Sequence, residues 1–224
     1  MSFSQWTFDG STDLTVGLDA VNNVVGASSL GAFSLSVNFN RGKFGYVSNA
    51  SGLQRGITKG KVRSIFRVRN PAVINTSLNV SCGLYCMAST LSLLSSGSAY
   101  GFDIIASTAG SNVSVRKWTF GVLASHTATV LGSTTTATFA NPGDTVAVEL
   151  EWDADDQIGL GGTRVIARLG TSLIFNDLVT IVDVVDTSSP MTSSLAEGLY
   201  FHDDNGSREL DLLADSTAIL AAAT

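Results

Sequence analysis

The chain predicts an all-β fold, a two-sheet antiparallel β-sandwich, and three observations predict it. Apolar and polar residues alternate with period two along most of the 224 residues. Short clusters of Gly, Asn and Ser punctuate that alternation at regular intervals, and no segment carries the apolar stripe of an amphipathic helix. The clearest case is the stretch 144–170. Val146, Val148, Leu150 and Trp152 alternate with Thr145, Ala147, Glu149 and Glu151; a glycine-bearing polar loop follows; then Val165, Ala167 and Leu169 alternate with Arg164, Ile166 and Arg168. Successive strand side chains point to opposite faces, so this is an antiparallel hairpin with one buried and one wetter face.

Taken in order, the opening strand is expected over 5–9, with a turn at Asp9-Gly10-Ser11 and an N-terminal connector over 10–28. Strands follow near 30–39, 61–69, 77–90, 99–108, 113–122, 126–133, 144–152, 163–169, 173–184, 197–203 and 208–213. Clusters of turn formers separate them, including 41–60, Ser95-Ser96-Gly97, Asn141-Pro142-Gly143-Asp144 and 203–206. Only three prolines interrupt the pattern, and no repeat or long linker divides the chain. We expect one sandwich domain over 1–224, ending in an apolar C-terminal arm at 216–224 with Ile219 and Leu220 as its assembly contacts.

A composition 44% hydrophobic and 14% charged is ample for a sizeable core and argues against disorder. The apolar runs are too short for a membrane-spanning helix, and the start, Met1-Ser2-Phe3-Ser4-Gln5-Trp6, has no basic or apolar leader region. The expectation is no signal peptide, no membrane partner and synthesis in a cytoplasm. A net charge of −6 opposes nucleic-acid binding, which needs a concentrated positive field. The one basic run puts Lys61, Arg63, Arg67 and Arg69 on one strand face, with Val62, Phe66 and Val68 on the other. Without interleaved aromatic rings to stack on bases, this face reads as the partner of an acidic strand such as the one carrying Glu149 and Glu151. Cys82 and Cys86, four apart on one strand, lie about 13 Å apart at strand rise, beyond disulfide reach. They read as buried free thiols. Asn49, Asn75, Asn79, Asn112 and Asn205 open glycosylation sequons, which without an export signal read as chance.

Four stretches together resemble a known family. They are Trp6-Thr7-Phe8-Asp9-Gly10; Tyr100-Gly101-Phe102-Asp103-Ile104 with Val115-Arg116-Lys117-Trp118; the hairpin over 148–169; and Gly198-Leu199-Tyr200-Phe201 with Leu210-Asp211-Leu212-Leu213. Their order is similar to that of the concanavalin A-like lectin/glucanase sandwich, the jelly roll shared by laminin G-like modules and pentraxins and also found in bacteriophage virion proteins. The resemblance covers nearly the whole chain as a pattern of strands and turns. It implies that the first and last strands lie together in one sheet.

Each candidate site has a plainer alternative. Family glucanases carry a Glu-x-Asp-x-Glu strand, whereas here the same-face acids are Glu149, Glu151 and Asp153, so the middle and last types depart from that pattern. Retaining hydrolysis needs carboxyls about 5–5.5 Å apart, but a salt-bridged acidic face is the favoured reading and no catalytic residue is assigned. The loop Asp153-Ala154-Asp155-Asp156-Gln157 has oxygen ligands for Ca²⁺ but lacks the EF-hand glycine and terminal Glu, so no metal or other cofactor is assigned. Tyr200, His202, Asp204 and Asn205 mix an aromatic ring with polar groups, as sugar sites do, although Asp203-Asp204-Asn205-Gly206 is also a plain turn. Trp118, beside Arg116, is either a glycan or partner platform or a core aromatic. His126 and His202, the only histidines, nearly exclude a multi-histidine metal centre.

The expectation from these readings is a non-enzymatic structural virion protein of a bacteriophage, a capsid decoration (cement) or tail-associated protein acting through interfaces with other virion subunits and with copies of itself. The alternative is a module recognising host-surface glycan. A glycoside hydrolase ranks last.

Overall fold

The computed structural model describes residues 6–10, 14–18, 33–37, 43–49, 58–71, 80–90, 97–105, 112–120, 126–135, 144–154, 161–172, 174–192, 194–203 and 210–221. They form fourteen strands: β1 (Trp6–Gly10), β2 (Leu14–Leu18), β3 (Phe33–Val37), β4 (Lys43–Asn49), β5 (Lys59–Pro71), β6 (Val80–Ala88), β7 (Gly97–Ile105), β8 (Asn112–Phe120), β9 (His126–Thr135), β10 (Thr145–Asp153), β11 (Thr163–Gly170), β12 (Val179–Asp186), β13 (Ala196–Asp203) and β14 (Leu210–Ala221). Two seven-stranded sheets result, in the orders β1-β4-β13-β6-β7-β8-β9 and β12-β11-β10-β5-β14-β3-β2. Every pairing is antiparallel. The expected all-β, two-sheet sandwich is what the chain forms.

The hairpin of β10 and β11 pairs Trp152 with Val165, Leu150 with Ala167 and Val148 with Leu169, and these residues turn inward. β5 lies on the other side of β10, pairing Val62 with Leu150 and Phe66 with Val146. From the first sheet, Leu84, Tyr100, Phe102 and Val115 meet them, and Val62, Phe66, Val148, Leu150 and Val165 are all fully buried. Burial of each such apolar side chain stabilises by about 1.5–3 kcal/mol. The sheets touch through β5 and β10 against β6, and through β12 against β9.

Five expectations need correction. β2 lies inside the connector expected over 10–28, and β4 lies inside the loop expected over 41–60. In each, a central glycine (Gly17, Gly45) interrupts an alternation too short to stand out. The strand expected at 173–184 begins only at Val179, because Asp177 folds the preceding residues into a turn. Its carboxylate accepts from the Thr171 and Ser172 amides at 2.8 and 3.0 Å and from the Thr171 hydroxyl at 2.8 Å. The arm at 216–224 is not an arm as far as Ala221: Ala218, Ile219, Leu220 and Ala221 pair with Arg63, Val62, Lys61 and Gly60. β14 runs between β5 and β3 over 210–214, and over 218–221 it pairs with β5 alone among the described strands. Finally, β1 lies at the edge of the first sheet and β14 inside the second, so the first and last strands do not share a sheet.

Candidate functional site

On the first sheet, the face turned away from the second carries a polar cluster that strand register assembles. Asp103 of β7 lies opposite Ser114 of β8, and Gly101 lies opposite Arg116. Asp103, Ser114, Arg116 and Trp118 therefore share one face, while Tyr100, Phe102 and Val115 fill the interior. Asp103 is 0% exposed, and its carboxylate takes an ion pair from Arg116 Nε at 3.1 Å. The same Nε donates to Ser114 Oγ at 2.8 Å. The guanidinium carbon sits 5.6 Å from the Trp118 ring centroid, within cation–π range. Behind this cluster, Gly83 of β6 lies opposite Asp103, where a Cβ would overlap the Phe102 carbonyl. The buried acid, the Ser114 hydroxyl and the Trp118 ring hold Arg116 in one pose.

In front of Arg116 a hollow of about 420 Å³ opens between β8 and β9, lined by Arg116, Ser114, Asn112, Val130, Ser133 and Thr135, among others. Thr135 Oγ1 donates to Asn112 Oδ1 at 3.1 Å, orienting the amide. The lining offers hydroxyl donors and acceptors, an amide, an exposed aliphatic side chain and a guanidinium balanced by Asp103. That suits a small, neutral, polyhydroxylated ligand better than an anion.

Of the residues singled out from sequence, Arg116 and Asn112 line this hollow, while Trp118 adjoins Arg116 and, at 2% exposure, is no exposed platform. Its expected role as a direct contact is corrected accordingly. Tyr200 and His202 belong to β13, opposite Gly83 and Ser81 of β6. β6 and β7 lie between β13 and β8, and Tyr200 aligns across them with Ser114, four residues along β8 from Trp118, so those residues stand about 20 Å or more from Trp118 at about 4.8 Å per strand and about 3.3 Å per residue. Asp204 and Asn205 lie outside the described residues. Ile219 and Leu220 are strand residues of β14, as described above. The residues that sequence reasoning missed, Asp103 and Ser114, carried one signal: polar side chains on the face opposite the apolar alternation of their strands.

The acidic strand is salt-bridged. Arg168 Nη1 donates to Glu149 Oε1 at 2.8 Å and to Glu151 Oε2 at 2.6 Å, and Lys61 Nζ lies 3.7 Å from each carboxylate. Partial burial of Arg168 opposes its charge, but the bonds and charges of Glu151 and Glu149 hold its pKa above the ordinary arginine value. Glu149 lies opposite Arg63, and Glu151 opposite Lys61, the pairing expected for the basic face of β5. Asp153 is tied to Lys59 at 3.1 Å, while Asp155, Asp156 and Gln157 lie outside the described residues. Among the described residues, no group of three or more His, Cys, Asp or Glu side chains is placed to hold a metal ion.

Two buried acids sit between the sheets. Asp186 accepts from Tyr100 Oη and Lys117 Nζ, each at 2.7 Å, and from the Ser188 amide at 2.9 Å. Burial works to raise its pKa, yet these donors prevail and hold it below the ordinary carboxylate value. Glu197 is 0% exposed and neither carboxyl oxygen makes a well-formed hydrogen bond. Burial pushes its pKa up to about 7, offset only in part by the Ser194 hydroxyl. Cys86, a buried free thiol as expected, is raised by its own burial and then by the charge of Glu197.

No family model matches the sequence, and no curated protein sequence matches it. Solved structures do. The VIP36 exoplasmic/lumenal domain, in its Ca²⁺/Man3GlcNAc-bound form, aligns with TM-score 0.56 and 13% identity over 99% of this chain and 87% of its own. The potassium-bound carbohydrate recognition domain of Emp46p aligns with TM-score 0.54 and 12% identity over 96% of this chain and 89% of its own. An engineered GH43 glycoside hydrolase aligns with TM-score 0.54 and 10% identity over 98% of this chain but only 36% of its own. At these identities the likeness is one of fold. The chain has a concanavalin A-like β-sandwich fold.

Proposed function

We propose that this sandwich is a non-catalytic binding module that recognises carbohydrate in the hollow between β8 and β9. The observation that carries the reading is the fixed Arg116, held by buried Asp103 and facing a hydroxyl- and amide-lined hollow. Sugar rings are bound by such groups, each donor and acceptor meeting a ring hydroxyl. The names of two fold neighbours add support, one bound to Man3GlcNAc and one a carbohydrate recognition domain. The non-catalytic part rests on Glu149 and Glu151, whose carboxylates are both tied into ion pairs with Arg168 and Lys61. A second reading is a structural subunit acting through interfaces, such as a head decoration or tail protein of a bacteriophage particle; the edge position of β9 among the described strands is compatible with interface pairing in general.

Glycan-array screening followed by calorimetric titration, with Ca²⁺ and with chelator, tests the proposal. Arg116→Ala removes a charge-assisted donor, so affinity falls about tenfold or more. Ser133→Trp fills the hollow without touching the buried ion pair and abolishes binding. An array with no hit, or a bound glycan indifferent to Ser133→Trp, refutes the assignment.

A further inference from the structure

Glu197 stands where β13 is held by few partners. Between the pairs Ala196–Ala88 and Gly198–Tyr85, Glu197 alone lies opposite Cys86 and Met87. β6 therefore carries the extra residue of a bulge, and Met87 takes a positive φ of 53° there. On its other side β13 pairs with β4 only as far as Gly198, opposite Ser48. Residues 195–197 thus pair with β6 alone among the described strands, through the Ala196–Ala88 pair and the Leu195 amide, which donates to the Ala88 carbonyl at 2.9 Å. β6 itself is held from the far side: Cys86 pairs with Tyr100 of β7, and the Ser89 amide donates to the Ser98 carbonyl at 2.8 Å. A separation at this rung moves β13 and leaves β6 in place.

The side chain makes this rung sensitive to charge. Glu197 is fully buried, and neither carboxyl oxygen makes a well-formed hydrogen bond. The groups facing it are the Cys86 thiol from β6 and the Ser194 hydroxyl from its own segment. Tyr100 of β7, opposite Cys86, is spent on Asp186 of β12, which Lys117 of β8 pairs at 2.7 Å. Among the described residues no cation faces Glu197. A neutral carboxyl is tolerated in such surroundings, whereas an ionised one without cation or firm donor is driven toward water. Release of the Ala196–Ala88 pair and the Leu195 hydrogen bond is a small local opening, and it removes the segment that lies across from Cys86.

We propose that residues 195–197 form a charge-gated flap, closed on β6 while Glu197 is protonated and released when it ionises, with the Cys86 thiol uncovered in the open form. The bulge confines the opening, because the regular pairing of β13 with β6 and β4 resumes at Gly198.

The test is amide hydrogen exchange of the full chain from about pH 5 to about pH 8, each rate divided by the intrinsic rate of that amide at the same pH. Protection of the Leu195 amide should fall roughly tenfold per pH unit until about 7, the value to which burial raises Glu197, and level off above it. It should stay below the protection of the Ser89 amide at every pH. Small additions of urea should leave it unchanged, since a local opening exposes little surface, while they lower the protection of Ser89. Glu197→Gln should remove the pH dependence at Leu195. In a Cys82→Ser background, labelling of Cys86, relative to the same variant unfolded in urea, should rise in step with the opening. The wild-type exchange arms stand without either variant. Leu195 protection that ignores pH, responds to urea as strongly as that of Ser89, or keeps its pH dependence in Glu197→Gln overturns the proposal. So does a Cys86 that stays unlabelled while the Leu195 amide opens.

Discussion

Tyr100 of the first sheet donates its phenolic hydrogen to Asp186 of the second at 2.7 Å, tying the two layers through a buried bond. The Tyr100 oxygen also accepts from the Met191 amide at 3.2 Å, and Lys117 meets the same Asp186 oxygen at 2.7 Å while donating to the Ser188 carbonyl at 2.7 Å. One aspartate thus holds β7, β8 and the segment after β12 in a single network.

Tyr100→Phe keeps the ring and removes the bond, leaving Asp186 and the Met191 amide each short of a partner. The expected loss is about 1–3 kcal/mol, read as a lower urea midpoint with unchanged slope. The Asp186 pKa is lowered in the folded state. Its contribution is therefore present above the ordinary aspartate value and lost as pH falls through the lower folded value. Acid unfolding of Tyr100→Phe should begin at higher pH than that of the wild type, and coincident acid-unfolding curves would contradict the role given to this bond.

Glu197 has the opposite sign. Its folded pKa, about 7, stands above the ordinary 4.5. The neutral form is the one the interior accepts, so stability is full below the ordinary value, declines as pH rises and is lost through about 7. Urea midpoints should fall between mildly acidic and mildly alkaline buffer. Glu197→Gln should flatten that slope and stabilise the protein on the alkaline side. A midpoint that rises with pH in the wild type would contradict this.

Removing residues 218–224 deletes the pairings of Ala218, Ile219, Leu220 and Ala221 with β5. The truncated chain should melt below the full chain, because Gly60, Lys61, Val62 and Arg63 of β5 lose the strand they pair with on that side. Unchanged thermal unfolding of the truncated chain would return this segment to the role of a free arm.

The all-β class, the hairpin of β10 and β11 and the charge match of β5 with β10 were legible in the sequence. Each of these is written as strict period-two alternation, and burying one face of a strand demands that period. The sequence also marked Cys86 as a buried thiol. The remaining features depend on contacts between residues far apart in the chain. β2 and β4 are held by neighbours distant in sequence, and a glycine in each breaks the local signal. The Ala-rich end of β14 has no alternation of its own and becomes a strand because β5 offers it an edge. Trp118 could not be placed as core or platform from its own strand, since its burial depends on what packs against that face. Asp103 meets Arg116, and Glu149 shares Arg168 with Glu151, through register between strands. Register sets which side chains face one another, and a shift of one residue would send each to the opposite face.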